Sequence, residues 1–242
     1  MGENVALSRD GSLATVILNR PDRRNSLSDE MLAELVAVFS ELRDDPSTRV
    51  VVVTGAPPVF SAGAHAELRS SMTSEERREA FGRRRSQFRR LFERVTSLLE
   101  NLEQATIARI NGHAIGGGWG LNLACDFRVA AAEAKFWLPE VDLGAPLGVG
   151  STTRLVRLVG PGRAKEIIMQ GRRYSAAQLE TLGLVNRVVP GDRLDQAVRE
   201  LAELLLAKPF RALAEIKARV NAIGRTAVPE VNAMTEGFLQ RE

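Results

Sequence analysis

The 242-residue sequence predicts an α/β core that gives way to a helical tail. Three observations carry this reading. Short β-branched runs alternate with helix-period segments through the first part of the chain. Two of those runs end in glycine-containing turns, and the later third shows helical periodicity. Strands and helices alternating early, then helices alone, describe that class.

The elements follow in order. Val5–Ser8 and Leu13–Asn19 flank Asp10-Gly11, a hairpin signal. Ser28 is placed to cap a helix running toward Asp44, with Met31, Leu32, Leu35, Val38, Phe39 and Leu42 facing inward. Leu27 and Leu32 stand at the spacing of a hydrophobic staple around that cap. The run Val50–Val53 reads as a strand buried on both faces. After Pro57-Pro58 and Phe60–Gly63, Thr73 and Glu76 form a capping box for a long arginine-bearing helix. Thr106–Ile110 is a further strand, and it leads through Asn111-Gly112 and the glycines at 116–118 into a helix expected to reach about Cys125. A strand at Phe127–Ala130 follows. Pro161 suits the first turn of one helix, and Ser175 with Gln178 caps another that stops at Gly183. Leu194–Leu206, closed by Lys208-Pro209, and a segment from Phe210 to Ile223 complete the tail.

Composition narrows the classes. A chain this long with 44% hydrophobic residues buries a sizeable core without covalent staples. No run of eighteen apolar residues marks a membrane span, and Met1-Gly2-Glu3-Asn4 lacks the apolar centre of a secretion signal. The single Cys125 has no partner for a disulfide or a cysteine metal motif, which fits a reducing, bacterial-type cytoplasm. No metal site is expected, because the two histidines are far apart in sequence and lack ligand spacing. Arg83-Arg84-Arg85 and Arg89-Arg90 invite a nucleic-acid reading. The same segment sets Phe81, Phe88, Leu91, Phe92, Val95, Leu98, Leu99 and Leu102 on one helical stripe, so a charged outer face accounts for them and no nucleic-acid partner is expected.

The chemistry concentrates in the two turns. Strand Val50–Thr54 ends in Gly55 and then Phe60-Ser61-Ala62-Gly63-Ala64-His65. Strand Thr106–Ile110 ends in Asn111-Gly112-His113-Ala114-Ile115-Gly116-Gly117-Gly118. Small residues let the backbone approach a ligand, and N–H groups at a helix start are donors for a negative oxygen. One donor from each turn makes a two-point oxyanion hole. Taken singly, each turn also reads as a tight strand-to-helix connection and nothing more.

The two turns together, and much else, resemble the crotonase superfamily of enoyl-CoA hydratases and isomerases. The resemblance runs from about Val5 to the C-terminal helix. It rests on Leu18-Asn19-Arg20-Pro21 with Asn25, on the two turns, and on Cys125-Asp126, Phe136, Pro139-Glu140 and Leu143-Gly144. Thr153-Arg154-Leu155, Ala176, Gly183-Leu184-Val185 and Val188-Val189-Pro190 complete it in matching order. It implies a crotonase-like spiral of repeated β-β-α units over residues 1–190, carrying the active site. By the same resemblance residues 191–242 are expected to form a C-terminal helical region of the same continuous domain, packing in homotrimers or dimers of trimers and covering the pocket. It implies an acyl-CoA substrate, with coenzyme A as part of the substrate and no permanently bound cofactor. Coenzyme A is expected near Arg20, Arg23, Arg24 and the Ala62–Ala66 turn, with Lys217 reaching its phosphates, and the arginine helix offers a basic rim to the same anion.

By the same resemblance the oxyanion donors are the N–H groups of Ala64 and Gly117, and Glu140 is the general acid/base, with its pKa raised by partial burial beside the acyl chain. Ala62, His65, Ala66 and Leu68 from the first turn are expected to contact substrate. So are His113, Gly116 and Gly120 from the second, and Pro139, Asp142 and Leu147 beyond it. Hydratases of the family hold water between two glutamates, and the first of those positions is Gly120 here. One remaining carboxylate favours isomerase-type proton transfer. Hydration by Glu140 with another group is the alternative, followed by decarboxylation of a malonyl-type CoA and by a non-catalytic CoA- or RNA-binding role. Asp142, two residues beyond Glu140, would share its direction in an extended segment and act as a second acid, or stand as a loop carboxylate. His65 and His113 read either as shape and hydrogen-bonding residues or as proton carriers. Gly120 leaves room for a bulkier acyl group or a water held by His65. Trp119 and Trp137 either wall an acyl pocket or pack the core.

Overall fold

The computed structural model describes residues 2–64 and 74–226, with the side chains of 74–86, 149 and 226 left aside. The chain opens with the hairpin β1 (Val5–Asp10) and β2 (Leu13–Leu18), turned by Gly11 at φ 57°. Ser28 then caps α1 (Asp29–Arg43) by accepting from the Met31 N–H at 3.2 Å. Leu27 and Leu32, on either side of that cap, are both buried. β3 (Val50–Gly55) is buried throughout and pairs in parallel with β2 on one side and β4 (Ala105–Ile110) on the other. α2 (Ser74–Glu100) lies between them in sequence. Thr73 of the expected capping box falls outside the described residues.

From β4 the chain enters β5 (Ala114–Ile115) and α3 (Gly117–Asn122), then β6 (Phe127–Ala131), β7 (Lys135–Trp137) and α4 (Val149–Gln170). β8 (Tyr174–Ser175), α5 (Ala176–Thr181), β9 (Arg187–Val189), α6 (Leu194–Leu206) and α7 (Phe210–Thr226) follow. The large sheet has the order β1-β2-β3-β4-β6-β9, parallel except for the β1–β2 pair, and β5-β7-β8 form a second sheet. The chain alternates between them. β4, β5 and α3 make one unit, and β6, β7 and α4 make the next. β3, α2 and Ser61, which bridges to Ala114, make an earlier unit of the same kind. These repeated β-β-α turns are the expected spiral.

Alternation along β3 explains its unbroken valines. Val51 and Val53 join a core with α1, α2 and α3, whereas Val50 and Val52 join another with α6. The α2 stripe behaves as its spacing predicts: Phe92, Val95, Leu99 and Leu102 are buried, and Phe88, Leu91 and Leu98 pack against the same core. Phe81 lies among the side chains left aside. Two boundaries differ from expectation. α3 stops at Asn122, three residues before Cys125, because bonds from Ala124 N to Leu121 O and from Cys125 N to Asn122 O tighten the end into a turn. α4 breaks at Gly160 (φ 74°, ψ 166°), so Pro161 does open a helical turn, as the missing N–H of proline favours. The capping box of Ser175 and Gln178 is present.

Candidate active site

Asn25 organises the first turn. Its buried side chain donates from Nδ2 to the carbonyls of Ala56 (2.6 Å) and Val59 (2.8 Å), and its Oδ1 accepts from Arg20 N–H (3.0 Å). Its own carbonyl accepts from Ser61 Oγ (2.7 Å), and that oxygen accepts from Gly63 N–H (3.1 Å). Ala62 N–H donates to Arg24 O (2.9 Å), and Gly63 O accepts from Leu27 N–H (2.9 Å). This last bond fixes a direction. In a trans peptide the C=O and the following N–H point opposite ways. With Gly63 C=O on Leu27, the Ala64 N–H is turned away from Leu27.

The second turn is tied to the first through backbone. His113 O accepts from both Phe60 and Ser61 N–H (3.1 Å each), and Ile115 N–H donates to Ser61 O (3.0 Å). Gly116, at φ 50°, donates to Trp137 O (3.0 Å) and accepts from Gly120 N–H (2.9 Å). The same trans-peptide argument aims the Gly117 N–H out of the start of α3. At Gly63 glycine is required for these turns to touch, since a Cβ there would overlap Ile115 O and lie 3.3 Å from Gly117 N. A Cβ on Gly117 would lie 3.8 Å from Ala64 N, which places the two turns in contact. The two N–H groups are therefore neighbours, each directed away from its own peptide's bonded carbonyl.

Glu140 meets this turn. A Cβ on Gly116 would lie 2.6 Å from Glu140 Oε1, and Glu140 Oε2 is shielded from solvent. Pro139 and Glu140 lie half-buried after β7, and both carbonyls accept from Leu143 N–H. Asp142 does not accompany Glu140. Residues 141–143 form a 3₁₀ turn instead of an extended segment, so side chains two apart diverge, and Asp142 is exposed. Its Oδ2 faces Gly171 at the end of α4, 3.0 Å from where a Cβ there would stand.

Position 120 is also not the open space that a missing side chain suggested. Gly120 is buried, and a Cβ on it would overlap Ser151 Oγ and stand 3.1 Å from Phe92 Cζ. The same Phe92 ring reaches Gly117, whose Cβ would lie 3.6 Å from Cε2 and 3.2 Å from Leu27 Cδ1. Leu147 is buried just before α4, and Ala62 is half-buried in the first turn. His113 has an exposed side chain whose Nδ1 accepts from Lys135 N–H (3.3 Å), so its contribution to the turns is its carbonyl. His65, Ala66 and Leu68 lie outside the described residues. Trp119 is buried edge-on to Phe136, a core position, whereas Trp137 is half-buried with the Arg173 guanidinium 4.7 Å from its ring centre.

Of the basic residues, Arg20 is half-buried with its guanidinium on Ser26 O, and Arg23 and Arg24 are exposed at the rim of the first turn. Lys217 has another task. Its side chain is mostly buried, with Nζ 2.8 Å from Asp126 Oδ2 and 2.9 Å from Gln104 O, which pins α7 to the sheet and engages the ammonium inside the chain. Cys125 is buried next to that pair, and burial, with the Asp126 charge second, pushes its thiol up to about 12. Sequence reasoning missed Leu27, Phe92 and Ser151 as site neighbours. Leu27 and Phe92 carry the signal of core residues, and Ser151 reaches α3 only through the packing of α4.

A spiral of β-β-α units whose paired glycine turns abut a glutamate defines the crotonase class of enzymes. The chain belongs to the enoyl-CoA hydratase/isomerase family, whose model matches residues 8–240. It is 37% identical over 220 residues to the crotonyl-CoA hydratase of Syntrophomonas wolfei, covering 90% of this chain and 82% of that one. Two solved structures are similar across the fold. An enoyl-CoA hydratase from Bacillus anthracis has 37% identity and a TM-score of 0.81, covering 90% of this chain and 82% of that one. A monofunctional enoyl-CoA isomerase from M. smegmatis has 33% identity and a TM-score of 0.78 over the whole of both chains.

Proposed function

We propose that the enzyme shifts a double bond in an enoyl-CoA thioester, using Glu140 as the one proton carrier. The observation that carries this is the pairing of Glu140 Oε1 at Gly116 with a side-chain-free, closed position at Gly120. The thioester oxygen of a 3-enoyl-CoA lies between the N–H groups of Ala64 and Gly117. Glu140 takes a proton from the α-carbon, and the electron pair moves into the carbonyl to give a dienolate. The two donors stabilise that charge more than the neutral thioester, which is where the rate gain arises. The protonated Glu140 then delivers the proton to the γ-carbon, leaving the double bond conjugated with the thioester. Coenzyme A enters and leaves as part of the substrate, with Arg20, Arg23 and Arg24 at the rim for its phosphates, and no resident cofactor is needed.

Hydration is the second reading, favoured by the names of the Syntrophomonas and Bacillus relatives. Absorbance of the conjugated thioester separates the two. It rises when the enzyme is mixed with a 3-enoyl-CoA if the double bond shifts, and falls with a 2-enoyl-CoA if water adds. A fall with the second substrate and no rise with the first would overturn the isomerase reading.

The family's trimeric packing is proposed for this chain as well. Ile216, Val220 and Ile223, spaced four and three residues apart on α7, are 58%, 62% and 71% exposed and form one apolar stripe suited to another copy. Light scattering of the purified enzyme tests the assembly.

A further inference from the structure

We infer that Ser151 and Gly120 form a size-coupled pair that decides between moving a proton and adding water. The inference rests on the reading of Glu140 as the one proton carrier. Ser151 lies in the first turns of α4 and is only 2% exposed, and its Oγ stands where the first side-chain atom of residue 120 would be. Rotating the hydroxyl away leaves the space tight. Ser151 Cβ remains 3.3 Å and Phe92 Cζ 3.1 Å from that atom.

The placement is anchored. Three residues beyond Ser151 on α4, Arg154 donates to Glu100 Oε2 (2.7 Å) and to Thr96 Oγ1 (3.3 Å) on α2. Thr96 Oγ1 in turn donates to Phe92 O (3.0 Å), and Arg157 adds a second bond to Glu100 at 3.3 Å. The buried Arg154–Glu100 pair thus fixes α4 against α2, holding Ser151 and Phe92 together over Gly120.

The consequence is chemical. Gly120 lies one turn along α3 from Gly117, on the face that Phe92 spans. A carboxylate there would be a second acid beside the acyl group. Ser151 supplies one neutral hydroxyl in its stead, and an unactivated hydroxyl does not take up a proton at neutral pH, so it cannot replace a general base for water. Ser151 is thus a specificity-determining residue that keeps a second acid out of position 120.

The test is a double-substitution cycle on the full chain with Gly120→Glu, Ser151→Gly and the two combined, read by melting temperature and by hydration of a 2-enoyl-CoA. Gly120→Glu alone is expected to lower the melting temperature by several degrees. Ser151→Gly should return most of that loss, and the combined variant should gain at least about a hundredfold in hydration over wild type, the scale of one general base. Additive melting temperatures would overturn the pairing, and coupled temperatures without the gain would overturn its role in specificity. Where glutamate at 120 prevents folding, Gly120→Ala decides the pairing and Gly120→Asp with Ser151→Gly decides the chemistry. The melting cycle needs no turnover, so it stands apart from the isomerase reading, which fails if wild type already hydrates the 2-enoyl-CoA and leaves the 3-enoyl-CoA unchanged.

Discussion

Asn25→Ala removes the side chain that holds the first glycine turn in shape. Three hydrogen bonds are lost, to Ala56 O, to Val59 O and from Arg20 N. At about 1 kcal/mol net for each, that is about 3 kcal/mol. Asn25 also has a left-handed backbone at φ 52°, which costs alanine roughly 1 kcal/mol more than glycine. The expected total is about 4 kcal/mol for alanine and about 3 kcal/mol for Asn25→Gly, which keeps the backbone freedom. In a domain of this size the alanine loss corresponds to a melting temperature lower by roughly 8–16 °C. Urea unfolding of the three proteins measures both steps. Because Ser61 hangs on Asn25 O and Gly63 on Ser61 Oγ, the Ala64 N–H shifts with them, and kcat/KM should fall about tenfold to a hundredfold. An alanine variant within about 1 kcal/mol of wild type would refute the claim that Asn25 holds the turn.

Two further perturbations probe the frame around the site. Lys217→Met leaves Asp126 nearly buried without its cation and is expected to cost about 3 kcal/mol in unfolding free energy, part of it recovered by adding Asp126→Asn. KM for an acyl-CoA should stay unchanged, and a several-fold rise would return Lys217 to the CoA site. Cys125 should resist iodoacetamide at pH 8.5 in the native protein and react once the chain is unfolded, since its folded pKa is about 12 against an ordinary 9.0. A raised folded value contributes stability that is complete below the ordinary value and is lost as pH climbs from there to the folded value. The native protein should therefore lose stability between about pH 9 and 12, with a shallower slope in Cys125→Ser. Native labelling as fast as in the unfolded chain would contradict the burial.

The elements that announced themselves in the sequence were those long enough to show a period. α1, α2 and α6 display their inward faces at helical spacing, and β3 shows a continuous valine run because both of its faces are covered. The strands β5, β7 and β8 have two or three residues each, too few for a period, so the second sheet was illegible. The glycine turns were legible as turns, since backbone contact requires glycine at Gly63 and Gly118. The extended reading of Asp142 failed because a 3₁₀ turn over Val141–Leu143 rotates it away from Glu140. Ser151 over Gly120, Lys217 on Asp126 and Arg128, buried in β6 with its guanidinium on the Leu184 and Cys125 carbonyls, are long-range or tertiary contacts with no local signal. Burial lowers the Arg128 pKa.

Glu140→Gln tests most directly whether one carboxylate carries the proton. The variant keeps the shape of the side chain beside Gly116 and removes its basicity. Mixed with a 3-enoyl-CoA, it should lose roughly a hundredfold to ten-thousandfold in kcat, with the affinity for the thioester little changed. A glutamine variant that isomerises the substrate at the wild-type rate would show that the proton moves through another group.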